Sequence, residues 1–477
     1  MRKETKGYIG GQWVEMSGDE PFGLVNQHTE EVWCEVSQGT EDDVDAAVAA
    51  AKDAFPDWSG RSMGERLDFL EAFHDGFAAA TDELIKTISA EMGAPVGLVK
   101  DLMVDPTTQT IRSTIDIARE YPMERRVEGF LERRLPLGVC AAISPWNNPA
   151  LMMVDKAIAA IAAGNTVVHK PANLSPLSAF ILARLADDAK FPAGVYNVVP
   201  GKGSVVGDAM ARHMDVDIVT FTGSVGSGRK VAEAAATGPR KCVLELGGKS
   251  ACIILDDRDF KQSLESATMG TTSNSGQLCA AWTRIIVPKD RLDEAAKIAA
   301  DYAESLTIGD PSDEDTDVGP VVSKDQWDKI QKYIRIGMDE GATVATGGLG
   351  RPDHLESGFY VKPTIFSDVD NSMRIAQEEI FGPVLCIIPY DDEDHAVRIA
   401  NDSDYGLHGG VLGSDPVHAE AVAKRIRTGQ IDTRGFLYHP RGAWGGFKRS
   451  GYGRCLGTRG FEEFIATQTI FSHGGGA

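Results

Sequence analysis

Two residues of this chain carry reactive chemistry at a spacing that invites a joint reading. Glu245 opens Glu-Leu-Gly-Gly-Lys-Ser (245–250), and Cys279 lies in Gly-Gln-Leu-Cys-Ala (276–280), 34 residues further on. A thiol attacks only as its thiolate. Free cysteine ionises near ~8.5, so at neutral pH it needs a base or positive surroundings. A carboxylate can activate water to clear a covalent thioester. Each half also has a plain reading, since a lone cysteine is more often a small buried apolar residue. Gly-Gly-Lys-Ser is not a P-loop: that motif needs glycine at 243, where the chain has Val243, and Glu245 would fall inside the loop. Spacing alone leaves the pair undecided, so the elements that would hold it must arbitrate.

Those elements belong to a chain of 477 residues, long enough for two or three domains. A net charge of −22 repels polyanions, which makes nucleic acid and anionic membrane poor partners. The seven cysteines (34, 140, 242, 252, 279, 386, 455) are scattered, without Cys-x-x-Cys spacing. Neither a disulfide framework nor a metal site is expected, and a reducing, cytoplasmic setting fits. The N-terminus lacks an apolar signal core, and no apolar run is long enough to span a membrane.

Along the chain, Gly10-Gly11 marks a hairpin at 8–14. Thr40 reads as an N-cap followed by Glu41, Asp42 and Asp43, and the helix it opens is expected to stop at Pro56. Further helices are expected over 64–92 and 96–118, ending the first at Gly93. Strand-like runs follow at 139–144, 165–169, 195–199, 217–221 and 241–246, with helices near 151–163, 175–189, 204–213 and 224–236 between them. Ser175-Pro176 reads as cap and first helical residue. This alternation implies parallel βαβ units and a doubly wound sheet, whose ligands bind at the C-terminal strand ends. The loops there are Lys170-Pro171-Ala172-Asn173, Pro200-Gly201-Lys202-Gly203-Ser204 and Thr222-Gly223-Ser224. Small residues opening a helix suit a pyrophosphate, although none of these loops is Gly-x-Gly-x-x-Gly. A second α/β layer follows 250, with strands at 251–255 and 283–288 and helices at 259–274, 289–306 and 323–340.

Glu-Leu-Gly-Gly-Lys-Ser, the Cys of Gly-Gln-x-Cys, Lys-Pro-Ala-x, Phe-Thr-Gly-Ser and Gln377-Glu-Glu-Ile-Phe-Gly-Pro-Val384 together resemble the aldehyde dehydrogenase superfamily, of the hydrolytic, non-acylating type. The likeness runs from about residue 8 to the C-terminus. It implies an α/β fold with two doubly wound parallel-sheet domains plus a small β oligomerisation arm. A dinucleotide-binding domain would cover 1–117 and 138–247, a catalytic domain 248–450, and an arm 118–137 and 451–477, in a homodimer or homotetramer. The stretch Phe461 to Phe471 resembles the strand that joins a neighbour's sheet. The family activity is oxidation of an aldehyde to the acid with NAD(P).

By that resemblance Cys279 is the nucleophile, Glu245 the base for hydrolysis and Asn147 an oxyanion donor. The cofactor would lie against Ser144, Pro145, Trp146, Lys170, Ala172, Asn173, Gly203, Gly223, Ser224, Leu246, Gly247, Gln326, Lys329, Glu379 and Phe381. Asn173 stands where the family often has Glu, which weakens the electrostatic bar to a 2′-phosphate. NAD is the expected cofactor, and NADP use stays possible. Met152, Leu278, Tyr438 and Trp444, with Asn148 in a place often aromatic, would line an apolar or aromatic aldehyde's tunnel. Arg441 offers the alternative of a semialdehyde carboxylate, and a catalytically silent protein of this fold is the alternative from another class. His408, in a position commonly small, reads as a packed or hydrogen-bonded group. Asp432 and Cys455 also depart from the family pattern, without an assigned role.

Overall fold

The computed structural model describes residues 1–471. The apolar runs of the middle of the chain form five parallel strands: Val139–Ile143, Thr166–Lys170, Tyr196–Val198, Ile218–Thr222 and Lys241–Glu245. All five are buried throughout or nearly so, as strands covered by helices on both faces must be. Val139–Ile143 sits at the middle. The chain winds outward through Thr166–Lys170 and Tyr196–Val198, then returns to the other side through Ile218–Thr222 and Lys241–Glu245. That reversal opens a crevice at the C-terminal strand ends, the usual ligand position on such sheets. The hairpin Lys6–Ile9 and Gln12–Glu15 extends one edge antiparallel, turning on Gly10 and Gly11 at φ 59 and 78. A two-residue turn with both φ values positive matches the twist of the strands it joins.

A second sheet is wound the same way around Ala251–Ile254. Arg284–Pro288, Val384–Tyr390 and Thr364–Ser367 lie to one side, and His408–Leu412 and Gln430–Asp432 to the other. Thr343–Thr346 closes its edge antiparallel. The segment 245–250 leaves the C-terminal end of a strand in the first sheet and enters the N-terminal end of Ala251–Ile254 in the second. It therefore crosses the seam between the two sheets. A third, antiparallel sheet pairs Glu124–Val127, Phe130–Pro136 and Ile465–Phe471. Its twin Arg pairs serve cross-strand ion pairs, Arg125 to Glu132 and Arg133 to Glu124.

Several expectations shift. The helix opened by Thr40 runs Glu41–Gly60 and passes through Pro56. Proline removes one hydrogen bond, to the carbonyl four residues back, and both Pro56 and Lys52 are on the solvent face where water replaces it. Beyond it, buried Trp58 donates its indole N–H to the Ile161 carbonyl, which holds the last turn in place. The helix expected to begin at Pro176 begins at Leu177, and Ser175 does not cap it. The Glu91 carboxylate does so from another helix, accepting the Leu177 and Ser178 N–H groups. The helix expected over 96–118 contains a π turn at Lys100–Val104 and continues to Glu120. Of the residues assigned to the arm, only 465–471 and 124–136 lie in the third sheet. Gly451–Tyr452 adds a strand beside Lys241–Glu245, and Gly457–Glu462 is a helix, so 451–464 packs with the first sheet. The stretch 472–477 lies outside the described residues. No helix among the described residues is long and apolar enough to cross a membrane.

Candidate active site

Cys279 stands in a turn held by side-chain amides. Helix Phe260–Thr272 ends in a short 3₁₀ turn where Asn274, Ser275 and Gly276 have φ of 51, 53 and 71. Three successive residues in the left-handed region need support, because only glycine adopts it freely. Asn274 Nδ2 donates to the Asn147 carbonyl at 3.1 Å, and Asn147 Nδ2 donates to the Gln277 carbonyl at 3.0 Å. Gln277 Nε2 returns a bond to the Asn274 carbonyl, while its Oε1 accepts the Val322 N–H. At Gly276 a Cβ would lie 2.1 Å from the Gly382 backbone, so the turn packs directly against the Phe381-Gly382-Pro383 segment. The sequence reading missed Asn274 and Gln277. Asn in a polar stretch beside a nucleophile was the available signal, but its partner is 127 residues away.

Two cavities meet at this turn. One, of about 610 Å³, is lined by Pro145, Trp146, Asn147, Thr222, Gly223, Ser224, Leu246, Gly247, Cys279, Gln326, Lys329, Glu379 and Phe381. The other, of about 810 Å³ and mostly apolar, is lined by Leu102, Asn147, Asn148, Leu151, Met152, Asp155, Leu278, Cys279, Ala280, His408, Gln430, Phe436, Leu437, Tyr438, His439, Trp444 and Leu456. Cys279 and Asn147 belong to both, and the sulfur is in no sealed core.

The first cavity occupies the crevice at the centre of the parallel sheet and fits a dinucleotide. Ser224 caps helix Val225–Ala235 and opens its N-terminus toward the cavity, where a phosphate is favoured. The Thr222 hydroxyl is buried without a partner among the described residues. Glu379 Oε1 accepts the Gly248 N–H at 3.2 Å, and burial pushes its carboxyl up, with Lys329 pulling against that. A Cβ at Gly247 would meet the Glu379 carboxylate at 2.2 Å, so only glycine admits that acid here. Trp146 and Phe381 stand edge to face at 5.4 Å across the cavity. Gln326 Nε2 donates to the Ile380 and Phe381 carbonyls and fixes that segment.

Lys170, Ala172, Asn173, Gly203 and Ser144 lie outside this cavity's lining, on the neighbouring strand ends. Lys170 is buried, donates to the Pro171 carbonyl, and has its pKa pushed down to about 8 by burial. Asn173 donates to Gln38 and leaves its own carbonyl oxygen unpartnered, while the space around Gly203 is open. Ser144 differs from expectation: its buried hydroxyl bonds His169 Nε2, which turns the side chain into the sheet.

Glu245 lines neither cavity. It ends its strand 3 % exposed, and neither carboxylate oxygen has a hydrogen-bond partner among the described residues. Burial pushes its carboxyl up to about 8. Asp155 adds to the shift, and Lys156 and Arg454 oppose it. The Cys279 thiol is pushed up to about 12 by burial, then by Glu245 and Glu379, against the pull of the Cys279 and Ala280 N–H groups aimed at the sulfur. The acid and the thiol thus act on one another electrostatically. A carboxylate with a pKa near 8 is suited to activating water.

In the second cavity, Met152, Leu278, Tyr438, Trp444 and Asn148 fall where expected. Tyr438 hydrogen-bonds Thr110, and Asn148 keeps an unpartnered buried carbonyl oxygen. Arg441 does not line the cavity. Its guanidinium is half-exposed and grips Glu120 at 3.1 and 3.3 Å, so it is not free for a substrate carboxylate. The missed lining residues, among them Leu102, Asp155, Phe436 and Leu456, come from four distant segments that no local pattern joins.

A nucleotide crevice, a thiol at its mouth and an apolar cavity beyond define an oxidoreductase that works through a covalent sulfur adduct. The comparisons agree. The aldehyde dehydrogenase family model matches residues 13–470. A 3-succinoylsemialdehyde-pyridine dehydrogenase from a Pseudomonas species is 44 % identical over 476 residues, covering 100 % of both chains. Among solved structures, a mutant of aldehyde dehydrogenase C from Pseudomonas syringae complexed with NAD+ and octanal superposes with a TM-score of 0.98 at 44 % identity, covering 99 % of this chain and 98 % of that one. A Mycobacterium tuberculosis aldehyde dehydrogenase complexed with NAD+ gives 0.97 at 37 % identity, covering 100 % and 99 %. The chain belongs to the aldehyde dehydrogenase family, and it is an NAD-dependent enzyme of that reaction class.

Proposed function

We propose that this enzyme oxidises an apolar or aromatic aldehyde to its carboxylic acid, with Cys279, Glu245 and Asn147 as the catalytic residues. The observation that carries the reading is that Cys279 and Asn147 alone line both cavities. A carbonyl carbon at the sulfur is therefore within reach of whatever occupies the crevice. Cys279 gives its proton to solvent, and the thiolate adds to the aldehyde. The Asn147 amide and the Cys279 N–H receive the oxyanion. Bound NAD would supply the hydride acceptor that oxidation of the sulfur adduct to a thioester requires. Glu245 then takes a proton from water, which attacks the thioester and frees the acid. Glu379, Lys329 and Ser224 hold the dinucleotide, with Lys170, Asn173 and Gly203 toward its adenosine end. The neutral Asn173 leaves NADP as a slower alternative.

The aromatic and aliphatic lining of the second cavity supports a neutral aldehyde. So do the octanal of the Pseudomonas syringae complex and the uncharged aryl ketone aldehyde in the name of the Pseudomonas relative. The engagement of Arg441 with Glu120 disfavours an anionic semialdehyde. The free thiols fit a cytoplasmic enzyme, and the three-stranded sheet with its open edge fits a homodimer or homotetramer.

An absorbance assay with octanal and NAD tests this, with and without coenzyme A. NADH should form at equal rates in both, and Cys279→Ala should form none. Glu245→Gln should give one burst of NADH and little turnover. A fully active Cys279→Ala, or a strict need for coenzyme A, refutes the reading.

A further inference from the structure

His408 begins strand His408–Leu412, in the wall of the aldehyde cavity. Its side chain is 1 % exposed and that of Asp432, on the next strand, 6 %. Nδ1 lies 2.8 Å from the Ala280 carbonyl oxygen, and Nε2 lies 3.1 Å from Asp432 Oδ2. A carbonyl oxygen offers no proton, so Nδ1 must carry one. Asp432 is already an acceptor twice over: Oδ2 takes the Leu437 N–H and Oδ1 takes the Gln430 amide, each at 3.0 Å. A carboxylate accepts all three donors, whereas a protonated acid would set its own hydrogen against one of them. Nε2 therefore carries a proton as well. The surroundings suit the resulting cation. Trp282 stacks on the imidazole at 5.6 Å and 25°, with Phe436 and Trp444 around it, and aromatic faces attract positive charge.

We propose that His408 is held as an imidazolium paired with Asp432, and that this buried clamp positions the turn that carries Cys279. The clamp grips the carbonyl of the residue next to the nucleophile. That turn is closed from the other side by the Ala281 N–H on the Leu278 carbonyl. With both ends fixed, the Cys279 and Ala280 N–H groups stay aimed at the sulfur. The other titratable groups near the ring are Cys279 and Cys252, across the aldehyde cavity Asp155, Tyr438 and His439, and in the pocket behind the strand Lys249, Arg284, Tyr405 and Arg427. None of them is a hydrogen-bond partner of the imidazole, so Asp432 alone holds its second proton. A ring lacking either proton would turn a lone pair toward an oxygen and loosen the turn. His408 is a positioning residue in this account, which rests on Cys279 being the nucleophile.

The full-length enzyme labelled with ¹⁵N-histidine tests the charge, with His408→Gln supplying the assignment. Both ring nitrogens of His408 should carry protons in the native enzyme at about pH 7.5, and Asp432→Asn should leave a single-proton ring. A neutral His408 in the native enzyme overturns the proposal. Positioning is tested by alkylation of Cys279 with iodoacetamide in the absence of cofactor, alongside kcat and KM for octanal. His408→Gln and Asp432→Asn should each slow alkylation and kcat by about 10-fold, with KM changed less than about threefold. The double variant should lose no more than either single one, as expected of residues acting as a unit. Additive losses, or a native pH profile of alkylation in either variant, overturn it. If His408→Gln does not fold, the isosteric Asp432→Asn carries both measurements. Activity in Cys279→Ala would defeat the nucleophile reading, and the ring's protonation would still be read independently of it.

Discussion

At Gly247 the absence of a side chain makes room for the Glu379 carboxylate. The nearest atoms to a Cβ there are the two Glu379 carboxylate oxygens, at 2.2 and 2.4 Å. Gly247→Ala must push Glu379 off its bond to the Gly248 N–H, and that acid faces the cofactor crevice. Titration should show KM for NAD raised by about 10-fold or more with KM for the aldehyde nearly unchanged, the loss of one charge-assisted contact. Equal changes in both would place Gly247 outside cofactor binding. Glu245 gives a second test at this scale. Its folded pKa of about 8 stands above the ordinary 4.5, so between those values the folded state keeps a proton that the unfolded chain has lost. Stability contributed by this group is therefore full below about 4.5 and falls as pH rises toward 8. Glu245→Gln removes the dependence. Denaturant melts should show the variant gaining on the native protein with rising pH, by on the order of a few kcal/mol across that window. A gap that is flat with pH would mean that Glu245 is solvated in solution.

At the scale of elements, the turn before Cys279 is where local propensity and function conflict. Asn274 and Ser275 accept a left-handed backbone that helix Phe260–Thr272 would not otherwise lead into. Asn tolerates that conformation better than most residues, and its amide ties the turn to the Asn147 carbonyl. Asn274→Ala should thus lower kcat by about 10-fold and the unfolding free energy by about 1–3 kcal/mol, read from steady-state kinetics and urea melts. Unchanged kcat would show that Asn147 and Cys279 keep their places without it. This turn also shows what a linear reading can reach. The parallel strands were legible because each is a short, fully buried apolar run between turn residues. Glu245, Cys279 and Glu379 stood out as candidates because they sit inside compact motifs. The aldehyde cavity was not, because Leu102, Asp155, Phe436 and Leu456 meet only after two sheets have wound past each other. Arg441 misled for the same reason, since its partner Glu120 is 321 residues distant, at the end of helix Asp105–Glu120. Pro56 misled because a proline ends a helix only where no buried anchor such as Trp58 follows it.

At the scale of the molecule, the sheet of Glu124–Val127, Phe130–Pro136 and Ile465–Phe471 has too little covering to be a folding unit of its own. Ile465–Phe471 is its edge strand, seven residues long, and after Ile465 every side chain is exposed. Ile470 and Phe471 are 40 % and 74 % exposed. Monomeric proteins usually blunt such an edge with charge, proline or a bulge, and this strand, Ile-Ala-Thr-Gln-Thr-Ile-Phe, has none. An uncharged edge that ends in two large apolar residues is what a second copy of the chain would cover by extending the sheet. The charge of −22 opposes association at long range, so the contact must be short-range and apolar there. The double variant Ile470→Asp, Phe471→Asp places two carboxylates on that edge without touching either cavity. Sedimentation should show an oligomer for the native chain and a smaller species for the variant, while the Cys279 alkylation rate of that species stays within about twofold of native. This follows because the turn, the crevice and the aldehyde cavity are built from one chain's two sheets. An oligomer that survives the two charges would place the subunit contact on another face, and a collapse of thiol reactivity would mean that the arm supports the active site through the helix Gly457–Glu462 that leads into it.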